Sequence, residues 1–331
     1  MLQCASKTPF LDATDMRSHV LAGDEVDNFQ VGELISTTAV ASLFRAIDTE
    51  TGSPVLIKFP NPDVETDPVL SNRFKREEEI GNTLNHPGLL KVIHGAHSRP
   101  YIVTEYFDGK FLRQILDSEK TLFVERSIRI ALKICEVLDY VEGHGVFHRD
   151  LRPENIMVDS DNAVKVVNFG GAAMMGARRI TFTTVSHALG ISDYLAPEEL
   201  SGTRTDARTD VYSLAVILHE MITGKTPFDG LDPFARPGVH AFDRQGESRS
   251  VSPCIPAQLE QVLYNALQPS PNKRYRNAHK LAADLQNLNG VSVRRRTTLI
   301  GKLRSHKLVF YGALALLPII IFALLLLFAN H

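Results

Sequence analysis

His148-Arg149-Asp150-Leu151-Arg152-Pro153-Glu154-Asn155, followed by Asn168-Phe169-Gly170, is the stretch around which the chain is organised. Asp150 supplies a carboxylate that can accept a proton from a hydroxyl nucleophile. Asn155 supplies an amide oxygen for a cation. Asn168 arrives just behind the run Val164-Lys165-Val166-Val167, whose composition reads as a short buried strand. An Asn and an Asp together can hold Mg²⁺ against a triphosphate. Here the second position is Asn168, which offers an oxygen without the charge.

The two segments resemble the catalytic loop and metal-binding loop of protein kinases, H-R-D-L-x-x-x-N and D-F-G. The resemblance implies Asp150 as catalytic base and Asn155 and Asn168 as metal ligands. Arg152 stands where a lysine usually meets the γ-phosphate; it keeps the charge and changes the geometry. His148 matches the family's core histidine. The i, i+4 pair His144 and His148 lacks the accompanying carboxylate motif of a metal site and is read as structural.

Upstream, alternating residues predict strands over Phe29–Ile35, Ala41–Asp48 and Pro54–Phe59, with a turn at Glu50-Thr51-Gly52. They resemble the start of a kinase small lobe. The family's glycine-rich loop is altered, because its three glycine positions become Ser36, Thr38 and Ala41. Glycine permits positive φ and close approach of backbone N–H groups to phosphate, so this segment is expected to be an ordinary hairpin. Val55-Leu56-Ile57-Lys58 resembles V-A-I-K. That assigns Lys58 to the α- and β-phosphates and puts Leu56 where an alanine packs on adenine. A helix from Arg73 to Leu84 supplies Glu77 as the partner of Lys58. Tyr101 to Tyr106 looks like the strand into the hinge, with Thr104 at the gatekeeper position. The resemblance adds Glu105 and Met157 to the nucleotide-binding residues.

Downstream, residues 171–193 resemble an activation loop closed by Ala196-Pro197-Glu198. Thr181, Thr183, Thr184 and Ser186 are its candidate phosphosites, and Arg149 is the residue a phosphate there would pair with. Thr209 to Leu218 predicts a buried helix whose Asp210 supports the catalytic-loop backbone. Arg274, in Pro271-Asn272-Lys273-Arg274-Tyr275, is expected to pair with Glu198.

Composition bounds the rest. The chain has 331 residues, 44% of them hydrophobic, and a formal net charge of −2. It can bury a substantial core and carries no global basic field for nucleic acid. Its three cysteines show no C-x-x-C spacing and suggest neither zinc nor a disulfide framework. Leu308 to Ala329 is uncharged and apolar, long enough to cross a bilayer as a helix. Arg294, Arg295, Arg296, Lys302, Arg304 and Lys307 precede it, which orients the large N-terminal part to the cytoplasm.

The expected fold is therefore α+β and two-lobed: a protein-kinase-like domain over 29–289, with a small β-rich N-lobe (about 29–104) and a larger helical C-lobe (about 111–289). A flexible tail (1–28), a basic juxtamembrane linker (290–307) and one transmembrane helix (308–329) complete the plan, a single-pass protein of the cytoplasmic (inner) membrane. The resemblance implies ATP and Mg²⁺ as cofactors if the domain is active, and a protein substrate or protein partner. Two functions stay open. Lys58, Glu77, Asp150 and Asn155 suit a Ser/Thr kinase that transfers the γ-phosphate of ATP. Ser36, Thr38, Ala41, Leu56 and Asn168 suit a pseudokinase or a weakly active kinase in signalling.

Overall fold

The computed structural model describes residues 20–95, 97–176, 193–203, 205–229 and 255–293. Five strands form an antiparallel sheet in sequence order: β1 (Glu25–Val26), β2 (Phe29–Thr37), β3 (Ala41–Asp48), β4 (Pro54–Pro60) and β5 (Ile102–Glu105). One face buries Phe29, Val31, Phe44, Val55, Ile57 and Tyr101. The period-2 alternation that buries this set turns Lys58 to the opposite face, toward the cleft. Folded structure begins ahead of Phe29. Gly23 N–H bonds the Val31 carbonyl at 2.8 Å, β1 pairs with β2, and Asp27 accepts a hydrogen bond from the Tyr101 hydroxyl. Within the stretch expected as a flexible tail, Glu25–Val26 is therefore a strand of the sheet, and Gly23 and Asp27 are tied to the sheet's neighbouring residues.

After the short helix α1 (Asp63–Thr66) comes α2 (Pro68–Thr83), five residues earlier at its start than the sequence pattern suggested. Asp67 caps it by accepting from Val69 N–H at 2.7 Å, and Pro68 occupies the first turn, where its missing N–H costs nothing. Phe74 and Ile80 are its buried face.

The C-lobe is helical. Helices α3 (Leu112–Glu119) and α4 (Val124–Gly143) precede a catalytic segment framed by β6 (Lys110–Phe111), β7 (Val146–Phe147), β8 (Ile156–Val158), β9 (Val164–Val166) and β10 (Ala173–Met174). The helices α5 (Pro197–Leu200), α6 (Ala207–Thr223), α7 (Ala257–Ala266) and α8 (Ala278–Gln286) follow. Buried residues line α6 on all sides, so it runs through the core and needs no polar face. Gly224, at φ +74°, stops it in a left-handed cap. Free Cys135 is buried in α4, and burial raises its thiol far above the ordinary range, which removes it from chemistry. Among the described residues no helix is long and apolar enough to cross a membrane. The run 308–329, Thr181, Thr183, Thr184 and Ser186 lie outside the described residues.

Candidate functional site

The catalytic loop is held from below by one carboxylate. Asp210 Oδ2 and Oδ1 accept from the backbone N–H groups of His148 and Arg149, each at 2.8 Å. These bonds fix Arg149 in a left-handed conformation, φ +62°. Burial raises the Asp210 carboxyl above its usual value, opposed by His148 and by the two N–H groups it receives. His148 is fully buried. Its Nε2 donates to the Val167 carbonyl at 3.0 Å, and Nδ1 accepts from Asp150 N–H at 3.3 Å. Asn155 Nδ2 donates to the Asp150 carbonyl at 2.7 Å. The Asp150 backbone is thus held on both sides, and its carboxylate faces the cleft.

The expected partner of Lys58 is confirmed as Glu77, whose two carboxylate oxygens lie 2.6 and 2.5 Å from Nζ. Neighbouring Glu78 and Glu79 are exposed. Lys58 also donates to Asn168 Oδ1 at 3.3 Å, and Asn168 Nδ2 donates to Asn155 Oδ1 at 3.0 Å. The direction of each amide follows from its neighbours. An ammonium can only donate, so the Asn168 oxygen faces Lys58 and its NH₂ faces Asn155. A carbonyl can only accept, so the Asn155 NH₂ faces Asp150 and its oxygen faces Asn168. The result is a continuous chain Lys58–Asn168–Asn155–Asp150.

This chain does not fit Mg²⁺ as it stands. The Asn155 oxygen carries an N–H donor, the Asn168 oxygen faces a cation, and the Asn168 position supplies no carboxylate. Asn168 itself sits at φ +68°, ψ +60°, a left-handed conformation that Asn tolerates. Phe169 behind it is buried and packs edge-on to His148 at 4.6 Å. A Cβ on Gly170 would lie 3.1 Å from the Arg73 carbonyl, so glycine lets this loop seat against α2.

Other expected site residues have partners of their own. Arg152 Nε lies 3.5 Å from Asp150 Oδ1, so the residue assigned to the γ-phosphate is paired with the candidate base. The Glu105 carboxylate accepts from Lys165 Nζ at 2.5 Å, while Lys165 also reaches the Leu89 carbonyl at 2.8 Å. Glu105 alternates with Thr104 along β5, and Thr104 lines the inner cleft. The Glu105 side chain is therefore a tie between lobes, and its backbone N–H donates to the Lys91 carbonyl at 2.9 Å. Leu56 is fully buried and in register with Thr104. Met157 is buried in β8 opposite Phe111, which lines the cleft.

Arg149 is also buried, with Nε 3.9 Å from Glu199 Oε1. Burial pushes the Glu199 carboxyl well above the carboxylate range; Arg149 partly offsets the rise. The Glu198–Arg274 pair forms as expected. Arg274 Nη1 and Nη2 donate to the two carboxylate oxygens at 2.6 and 2.8 Å, and Thr209 adds a third donor at 3.1 Å. His144 Nδ1 meets the Tyr140 carbonyl at 2.9 Å and His148 meets Val167, so the structural reading of that pair holds.

Some contributors were not anticipated. Arg113, on the cleft wall, donates to Glu220 at 2.9 Å and Tyr194 at 3.3 Å, and Tyr194 donates to Glu220 at 2.6 Å. This links α3 to the segment leading into Ala196-Pro197-Glu198. Their separation in sequence left no local signal. At the hairpin tip between β2 and β3, Thr38 and Asn61 form a second polar cluster. For that one a hydroxyl at a glycine position was the available clue.

Residues 29–284 match the protein kinase domain family. The chain is 35% identical over 266 residues to the serine/threonine-protein kinase PknB of Mycolicibacterium smegmatis, covering 78% of this chain and 42% of that protein. It is 33% identical over 265 residues to PknB of Mycobacterium tuberculosis, with the same coverage. A probable serine/threonine-protein kinase of Streptomyces coelicolor is 33% identical over 264 residues, 78% of this chain and 39% of the relative. The chain thus spans about two fifths of the length of these relatives.

Proposed function

The chain belongs to the protein kinase family, in the bacterial serine/threonine group, and we propose that it is a membrane-anchored pseudokinase or weakly active member. It acts in signalling through a protein partner or substrate, with its kinase-like domain in the cytoplasm. The observation that carries this reading is the Asn168 amide, which brings no charge to the metal position and donates to the Asn155 oxygen a metal would need. Charge supports it as well. At an effective dielectric near 20, one unit charge at 4 Å is worth about 4 kcal/mol. Lost from a transition state, that is roughly a thousandfold in rate. The Lys58–Glu77 pair remains in place to receive phosphates, so nucleotide binding with little metal dependence accompanies weak transfer. The membrane part rests on the uncharged run Leu308 to Ala329 behind a basic cluster.

The alternative is an active Ser/Thr kinase. It is favoured by the backbone of Asp150, held from both sides, and by the intact Lys58–Glu77 pair. In that reading Asp150 accepts the proton of a substrate hydroxyl as the γ-phosphate transfers. Incubation with ATP, Mg²⁺ and a generic Ser/Thr substrate decides between them. Turnover at about 1–100 s⁻¹, the usual kinase range, sinks the pseudokinase reading. Saturable ATP binding with turnover near background supports it.

A further inference from the structure

The hairpin tip between β2 and β3 closes on itself. Thr38 Oγ1 accepts from the backbone N–H groups of Val40 at 3.2 Å and Ala41 at 3.1 Å, and donates to the Ala41 carbonyl at 3.1 Å. Thr38, Ala39 and Val40 line the cleft together with Asp150, Asn155 and Asn168, and Ala41 lines its inner part, so the turn that carries these N–H groups lies on the side a bound phosphate would meet. Asn61, at the end of β4, fastens the tip. Its Nδ2 donates to the Thr38 carbonyl at 2.7 Å, its Oδ1 accepts from the Ser42 hydroxyl at 3.0 Å, and its N–H reaches the Val40 carbonyl at 2.9 Å. Each end of the Asn61 amide has a partner of the required kind, which fixes its orientation.

Backbone N–H groups at such a turn bind an anion when they are free. Here a side-chain oxygen of the same hairpin already satisfies two of them. We infer that Thr38 is a specificity-determining residue, whose hydroxyl stands in for a nucleotide phosphate oxygen and makes the cleft discriminate against phosphorylated ligands. Asn61 is the positioning residue that keeps the cap closed. The inference rests on the nucleotide reading of the cleft. Its chemistry is competition: a phosphate gains these donors only by displacing the hydroxyl, whereas the nucleoside part of a ligand does not touch them.

Two measurements on the full chain test it. Thr38→Val keeps the branched shape and removes the acceptor; Thr38→Ser keeps the hydroxyl. Amide hydrogen exchange should show Val40 and Ala41 protected in the wild type and in Thr38→Ser, and about tenfold faster exchange in Thr38→Val. Unchanged exchange overturns the proposal. Calorimetry with ATP and with adenosine, both in EDTA, should show Thr38→Val tightening ATP about tenfold, about 1.4 kcal/mol, with adenosine unchanged. An equal gain for both ligands, or for neither, overturns it. If exchange quickens in Thr38→Val but no variant binds adenosine or ATP, the phosphate competition is overturned together with the nucleotide reading. If adenosine binds and ATP shows no gain, the competition alone fails.

Discussion

Asn168 donates its side-chain N–H to the side-chain oxygen of Asn155 across 3.0 Å, so the two positions expected to share a metal are hydrogen-bonded to each other. A carboxylate at position 168 could not make this bond, because it has no donor. The exchange of one oxygen for an NH₂ converts a potential pair of cation ligands into a closed polar chain ending at Lys58.

Asn168→Asp should reopen that site. The substitution removes the donor, restores a negative charge and releases the Asn155 oxygen. Calorimetric titration of ATP with millimolar Mg²⁺ and with EDTA should then differ by about tenfold or more in the variant, or 1.4 kcal/mol. In the wild type the two titrations should nearly coincide. Any phosphotransfer gained should vanish on adding Asp150→Ala. A wild-type protein with strong Mg²⁺ dependence contradicts the closed chain.

Lys58→Met should separate phosphate binding from nucleoside binding. It leaves the partly buried Glu77 carboxylate without its cation. ATP binding should be lost, adenosine binding kept, and the fold weakened by about 1.5–3 kcal/mol, the usual worth of a charged hydrogen bond. Equal loss of both ligands would show that the variant has rearranged the cleft.

Arg274→Ala should be severe for stability. Its guanidinium is fully buried and makes two short bonds to Glu198. Removing one partner of a buried pair typically costs about 3–5 kcal/mol. Urea denaturation should register that loss. The double variant with Glu198→Gln should lose less than the sum of the single variants, because the stranded charge is gone. Strict additivity would contradict the pairing.

Glu199 makes the fold sensitive to rising pH. Its carboxyl is raised well above the ordinary value by burial, so the folded state binds the proton more tightly than the unfolded chain. Stability from this group is fully present below the unfolded pKa and falls as pH rises through the folded one. Glu199→Gln mimics the protonated acid and should flatten that fall. Denaturation midpoints at pH 5 and pH 8 should shift less in the variant. An equal shift in both proteins would exclude Glu199 as the source.

Removal of residues 308–331 should move the protein from the membrane fraction to the soluble one. In intact cells the kinase-like domain should resist protease added outside. Its digestion would reverse the proposed orientation, and a truncated chain that stays with membranes would remove the anchor from the proposal.

The sequence by itself determined the lobes, their order and most of the pairings that hold them. Apolar period and turn residues located β2, β3 and β4, since these depend on neighbours two or four positions away. The resemblance to the family's signatures located Lys58 with Glu77, Asp210 under the catalytic loop, and Glu198 with Arg274. The tertiary structure alone decided how the polar side chains were shared out. An amide can present either end, and Asn168 turns its oxygen to Lys58 and its N–H to Asn155 because those neighbours accept no other arrangement. Likewise Glu105 goes to Lys165, Arg152 to Asp150, and the Thr38 hydroxyl to the N–H groups of its own hairpin. Residue type fixes which bonds a side chain can make; only packing in three dimensions fixes which competitor is nearest.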